Sequence, residues 1–333
     1  MQFTRRTLFI ASSSMLPVAS PSVQAQSDCG PSVESAENLV TSLRISKFSP
    51  RARADLVAAI VNKWPDAFRA GVTTPIRTQH FMTQMATESG GFVRIDENLN
   101  YSAKRLREIF PRRVSEELAQ RLANRPEAIA NHVYNRRDLG NTEPGDGWRF
   151  RGSGYIQLTG RSNFKARDAI LKMGIVESPD LVRQPVAGFA AAVAYWQAVN
   201  GNALADAGDI EAVRRAVNGG LIGIKESRVW LARARRYFVS QAVNVESSDS
   251  PSAEEIQAVQ SLLNETLGIK RPAAEAGDSG EFIESLQEFR KKADLPSVNV
   301  GGAPAGAKVR LLYDEDALYT LTDPVFAIPA DPQ

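Results

Sequence analysis

Phe81-Met82-Thr83-Gln84-Met85-Ala86-Thr87-Glu88-Ser89-Gly90-Gly91-Phe92 is the stretch on which the reading of this chain turns, and Asp96-Glu97-Asn98-Leu99-Asn100-Tyr101 follows a short loop later. Phe81, Met82 and Met85 recur at helical spacing, which predicts a helix with one buried face and Glu88 at its end. Gln84 lies one turn before Glu88. Gly90-Gly91 then breaks the helix and lets the backbone turn sharply and approach a ligand closely. A glutamate at a helix end beside a groove is partly desolvated, which favours a protonated acid. Glu97 puts a second carboxylate nearby. Two carboxyl groups flanking one bond are what glycoside hydrolysis requires: one protonates the leaving oxygen, the other activates water or attacks. In isolation the same pair fits an exposed helix-end glutamate with a solvated neighbour, so the rest of the chain decides.

Working outward, Leu56, Ile60 and Trp64 form one helical stripe, Phe189, Val193 and Trp196 another, and Ile210, Val213 and Val217 a third. These stripes predict a mainly α region from about 33 to 240. The best strand-like run, Gly154-Tyr155-Ile156-Gln157-Leu158-Thr159, is short. Asn135 to Gly152, rich in Gly, Asn, Asp and Arg, reads as a long irregular connection, and such loops in compact domains tend to carry function.

The N-terminus reads as an export signal. Thr4-Arg5-Arg6-Thr7-Leu8-Phe9 sets paired arginines before an apolar run, Leu8 to Val18, and Val23-Gln24-Ala25 offers a small-residue cleavage site. Residues 1–25 are therefore expected to be a twin-arginine signal, with the product periplasmic or extracellular. The run is far short of the ~20 apolar residues of a spanning helix, so no membrane association is expected after cleavage. Of 40 basic and 38 acidic residues, the signal holds two arginines and no acid, which leaves a near-neutral mature chain. That balance gives no nucleic-acid footprint. Cys29 is the only cysteine, so no internal disulfide can form.

The mature length of about 308 residues predicts two domains. The expected division is a catalytic domain over 26–244, a polar linker over 245–252, a second helical unit over 253–322 and a tail over 323–333. In the second unit, Ile256, Val259, Leu262 and Leu263 make one stripe, Phe282, Leu286 and Phe289 another, and Leu318 with Leu321 a short third. His80 and His132 are the only histidines and lie far apart without a zinc-binding spacing. No phosphate-cradling Gly-rich loop occurs, and neither metal nor organic cofactor is expected. Gly277-Asp278-Ser279-Gly280 looks like a serine-protease nucleophile motif, but its helical surroundings and the absence of a nearby histidine exclude that chemistry.

The Glu-Ser-Gly-Gly-Phe turn and the block Glu97-Asn98-Leu99-Asn100-Tyr101-Ser102-Ala103 closely resemble glycoside hydrolase family 19, in its bacterial chitinase-like and phage endolysin branch. The resemblance continues through Asp146-Gly147-Trp148-Arg149-Phe150-Arg151-Gly152-Ser153-Gly154-Tyr155-Ile156-Gln157-Leu158-Thr159-Gly160-Arg161-Ser162-Asn163-Phe164. It resumes at Asn202-Ala203-Leu204-Ala205-Asp206-Ala207-Gly208-Asp209 and at Val217-Asn218-Gly219-Gly220.

What the resemblance implies is a lysozyme-like, bilobal, mainly α catalytic domain cutting β-1,4 bonds between N-acetylated amino sugars. It implies Glu88 as general acid and Glu97 as general base, with Glu143 the alternative base. Thr159 would help hold the attacking water, and Gln157, Asn163 and Asn218 would bind sugar. Inversion would place the carboxyls roughly 6.5–9.5 Å apart. Trp148 and Tyr155 are candidate stacking platforms for a sugar face, and Arg228 matches a family arginine approximately. The chain departs from the family at Thr87, where a histidine is usual. Arg149, Arg151 and Arg161 fit either anionic groups of peptidoglycan or the acids near them. Residues 253–322 resemble the small three-helix peptidoglycan-binding domain found beside cell-wall hydrolases. The expected function is an exported peptidoglycan hydrolase. The alternatives are a chitinase acting on chitin oligomers and a non-catalytic wall-binding protein on the same fold.

Overall fold

A computed structural model describes residues 38–239, 250–269 and 280–322. The expected export signal, Cys29, residues 245–249 of the expected linker, Gly277-Asp278-Ser279 and the tail lie outside the described residues.

The fold is mainly α, and among the described residues the only β pairing is a pair of isolated bridges. The chain begins with α1 (Ser42–Phe48), α2 (Ala54–Arg69) and α3 (Pro75–Ser89). A smaller group follows: α4 (Ala103–Ile109), α5 (Glu116–Leu122), α6 (Pro126–Tyr134) and the one-turn α7 (Asp146–Arg149). Then come α8 (Arg161–Leu171), α9 (Pro185–Ala198), α10 (Gly201–Asp206), α11 (Ile210–Asn218) and α12 (Ile224–Tyr237). The C-terminal part holds α13 (Ala253–Thr266), α14 (Gly280–Lys292), α15 (Ala305–Leu312) and α16 (Glu315–Thr322).

Two apolar cores organise these helices. The larger gathers the predicted stripes, with Leu56, Ile60, Trp64, Phe81, Phe189 and Trp196 all essentially inaccessible. Trp64, Phe81, Phe189 and Trp196 meet ring against ring at 5.3–6.3 Å beneath α3, a spacing at which aromatic pairs add to plain burial. α3 packs on α12, and α2 on α9. The smaller core gathers Leu99, Tyr101, Leu106, Val114, Ile129, Val133, Tyr134 and Leu139, with Trp148 against it. The segment from Phe92 to Asn98 runs between the two cores.

Gly154–Thr159 is not a strand. Ser153 pairs with Leu158 across a tight turn, Gln157 N–H bonds Gly154 O at 3.1 Å, and Gln157 takes a positive φ of 52°. The apparent alternation reflects a turn with buried corners, not a pleat.

Residues 253–322 form four described helices, one more than periodicity displays, because α15 comes from the glycine- and alanine-rich stretch that carries only a faint stripe. Their apolar faces do not close on themselves alone. Val259, Leu263, Phe282, Phe289, Leu312 and Leu318 belong to the same continuous core as Phe48 and Trp230. α13 lies against α12. There Arg233 Nη1 meets Glu255 Oε1 at 2.6 Å, with side chains 8% and 0% exposed. The same guanidinium donates to Phe48 O at 2.8 Å and Lys47 O at 2.9 Å, so the pair is hydrogen-bonded on several sides, as a buried charge must be.

Candidate active site

α3 delivers Glu88. Thr74 caps its start, accepting from Arg77 N–H at 3.3 Å, with Pro75 in the first turn, where the missing N–H costs nothing. Gly90 ends the helix in the left-handed conformation, φ 60° and ψ 50°. Gly91 (φ 70°) and Phe92 (φ 61°) continue in the same region. At Gly91 space is as demanding as conformation: a Cβ there would lie 2.8 Å from Ser49 Oγ, 2.8 Å from Tyr319 Cε1 and 2.9 Å from Trp230 Cη2. The Gly-Gly break is thus a turn closed from behind.

Glu88 Oε1 accepts from Arg214 Nη1 at 2.6 Å, with side chains only 7% and 5% exposed. The same nitrogen reaches Gln84 Oε1 at 3.3 Å, and Arg214 Nε donates to Ile222 O at 2.7 Å. α11 and the Asn-Gly-Gly turn therefore fix the arginine that fixes the glutamate. Burial pushes the nearby Glu226 carboxyl above the ordinary range, an effect that the charge of Arg214 opposes.

Glu97 is held from the other side. Its Oε1 accepts from Tyr134 Oη at 2.5 Å and its Oε2 from Gly152 N–H at 2.9 Å, while its own N–H donates to Gly152 O at 3.1 Å. Tyr134 belongs to the small core and Gly152 to the strip joining 95–97 with 152–154. Glu88 thus stands on the large core and Glu97 at the edge of the small one. Glu143 is exposed. Its loop is tied down through the fully buried Asp146, whose Oδ2 accepts from Thr142 and Glu143 N–H and whose carboxylate pairs with Arg161.

The remaining expected residues divide. Thr159, inaccessible, donates to Gln157 O at 2.9 Å, and Asn163 Nδ2 donates to Thr159 O at 2.7 Å. Gln157 (6% exposed) and Asn218 (8%) are nearly sealed; Asn218 Nδ2 points to Ile222 O at 3.5 Å, beside Arg214. Trp148 is half-buried with the Arg151 guanidinium 3.6 Å over its ring, so one face is already covered. Tyr155 corrects the expectation of a sugar platform. It is fully buried between Phe92 and Phe189, and its hydroxyl donates to Leu56 O at 3.0 Å. Arg228 lies on the exposed face of α12 and pairs with Glu211 at 2.6 Å. Thr87 turns towards α12, donating to Thr83 O at 2.9 Å and meeting Ser227 Oγ at 3.1 Å.

Arg214 and Tyr134 escaped the sequence reading. Arg214 carried a usable signal, since it sits four residues before Asn218 and so shares its helix face. Tyr134 carried none beyond an aromatic at a helix end. Among the described residues no group of three or more His, Cys, Asp or Glu could hold a metal ion, and no helix is long and apolar enough to cross a membrane.

Two glutamates anchored by different cores of a helical fold are the kind of pair glycoside hydrolysis uses. A protein of Haemophilus influenzae (strain ATCC 51907 / DSM 11121 / KW20 / Rd), described as a glycosyl hydrolase family 19 domain-containing protein, is 35% identical over 190 residues, which is 56% of this chain and 92% of that protein. The chain belongs to glycosyl hydrolase family 19. No family model matches it. Among solved structures, chitinase C from Streptomyces griseus HUT6037 aligns with a TM-score of 0.45 and 19% identity, over 64% of this chain and 79% of that one. A bacterial family 19 chitinase aligns with a TM-score of 0.40 and 17% identity, over 61% and 96%.

Proposed function

We propose that this chain is an exported hydrolase that cleaves β-1,4 bonds between N-acetylated amino sugars of peptidoglycan by inversion. Glu88, taking up a proton against its pairing with Arg214, protonates the leaving oxygen, and Glu97 deprotonates the attacking water. Thr159, sealed with its hydroxyl on Gln157 O, supports the turn and does not hold that water. The observation that carries this reading is the separate anchoring of the two glutamates, one by Arg214 on the large core and one by Tyr134 and Gly152 at the small core. Glycosidic cleavage needs two carboxyl groups kept on opposite sides of a bond, and such anchoring keeps them apart. Glu143 has no comparable support.

Two features favour peptidoglycan: the expected export signal and the likeness of 253–322 to a wall-binding unit. A second reading, a chitinase, draws on the arginines. Arg161 is committed to Asp146, and Arg151 to Asp96 and Trp148, which leaves little dedicated positive charge for an anionic glycan.

The test is digestion of purified sacculi and colloidal chitin, with product masses read by mass spectrometry. Reducing muropeptides support the peptidoglycan reading. Chito-oligomers with intact sacculi make it a chitinase, and anhydro-ended products overturn the inverting-water mechanism. Glu88→Gln and Glu97→Gln should abolish turnover while sparing glycan binding. Glu143→Gln should not; if it alone stops turnover, the base is reassigned.

A further inference from the structure

We infer that Tyr319, on the last described helix, is a positioning residue for Glu88, so that the C-terminal helices complete the acid-bearing turn. The inference rests on the reading of Glu88 as the acid. It starts from a relay of three hydrogen bonds. Arg51 N–H lies 2.8 Å from Tyr319 Oη, Tyr319 Oη lies 2.7 Å from Ser49 Oγ, and Ser49 Oγ lies 2.6 Å from Gly91 O. Its direction follows from its ends. A backbone N–H can only donate and a carbonyl can only accept. The phenol therefore accepts from Arg51 and donates to Ser49, whose proton goes to Gly91 O. Each hydroxyl gives once and receives once, so the serine hydrogen is held on the carbonyl of the turn that ends α3.

That carbonyl is three residues beyond Glu88, where a helix end has orphan groups and frays unless something holds it. Gly91 N–H is already tied to Ala86 O at 2.7 Å, so the relay fixes the other side of the same residue. Packing repeats the message. The Tyr319 ring occupies space that a side chain on Gly91 would fill and stands edge-on to Trp230, 6.2 Å between centroids. Arg51 holds α16 in register, its guanidinium 5.2 Å over the Tyr319 ring and paired with Asp316. Three successive positive φ values, at Gly90, Gly91 and Phe92, bend the chain sharply here, and the relay holds the Gly91 carbonyl of that bend. A small displacement of a catalytic group is costly: about 1 Å is enough for a loss on the order of 100-fold.

The experiment uses the full chain, with steady-state turnover on soluble chitin hexamer or uncrosslinked peptidoglycan strands, whichever the wild type cuts. Tyr319→Phe keeps the ring and removes the donor. It should lower kcat roughly 10-fold while KM stays within twofold, because only the turn, not the sugar contacts, has moved. Ser49→Ala should do the same, and the double variant should be no worse than the poorer single one, as expected for one relay. Glu254→Gln, at the exposed Arg235–Glu254 pair between α12 and α13, should leave kcat unchanged and so exclude general loosening of the interface. The inference is overturned if Glu88→Gln is inactive yet Tyr319→Phe, folded at the assay temperature, keeps kcat within twofold of wild type. If Tyr319→Phe does not fold there, Ser49→Ala decides by the same criterion. A Glu88→Gln variant with wild-type turnover fails the acid assignment instead, and a wild type that cuts neither glycan fails the hydrolase reading and this inference together.

Discussion

Arg214 and Glu88 form a nearly sealed ion pair, 2.6 Å from nitrogen to oxygen, between α11 and the end of α3. A charge pair shut away from water is worth little compared with an apolar replacement, yet losing one partner is expensive because the other is stranded. The pair therefore ties the position of Glu88 to α11 and to Ile222, just beyond the Asn-Gly-Gly turn that carries Asn218.

Arg214→Ala should destabilise the fold by about 3–5 kcal/mol and abolish most turnover. Arg214→Lys should fall between, since a point charge replaces a planar fork. Adding Glu88→Gln to Arg214→Ala should recover much of the stability with no activity. Urea denaturation and kcat measure both effects; an unshifted midpoint in Arg214→Ala would show that the pair contributes nothing.

Tyr134→Phe removes one of the two side-chain hydrogen bonds at Glu97. A bond to a charged group contributes about 1.5–3 kcal/mol to stability, so the melting midpoint should fall by several degrees, and kcat should drop because Glu97 loses the bond that fixes one of its oxygens. Wild-type kcat in this variant would remove Glu97 from the mechanism.

His80 gives the fold a pH dependence. It is inaccessible, neither ring nitrogen has a hydrogen-bond partner among the described residues, and burial, with Arg235 adding to it, holds its pKa down at about 4. The unfolded chain, titrating near 6.5, binds the proton first, so stability is complete above that pH and is lost as pH falls towards 4. The loss between pH 7 and pH 5 should be about 2 kcal/mol. His80→Phe should flatten the slope in urea midpoints at the two pH values; an equal slope would assign it to other groups.

Gly91→Ala should cost about 2–5 kcal/mol, combining left-handed strain with the contacts on Ser49, Tyr319 and Trp230. Gly220→Ala, where a Cβ meets nothing within 4 Å, should stay within about 0.5 kcal/mol. Thermal melting of the two variants side by side tests this, and equal midpoints would mean the turn relaxes freely.

The helices, and the placing of Glu88 at a helix end, were legible because both are local. The stripes through Trp64, Phe81 and Trp196 have the period of their own helix, and Glu88 stands where the Gly-Gly break ends one. What was not legible is long-range. Arg214 reaches a residue on another helix far back in the chain, and its spacing from Asn218 shows a shared helix face but not that partner. Tyr155 misled because an aromatic in a glycine-rich motif looks like a platform, and only packing shows its hydroxyl spent on Leu56. The C-terminal stripes announced helices but not that Phe282 and Leu318 would share a core with Phe48.

That shared core has a geometric consequence. A catalytic unit on a long leash sweeps a volume around its anchor and meets its substrate at every angle. Here the C-terminal helices are packed into the body that carries Glu88, so the two keep one fixed orientation and cannot swing apart.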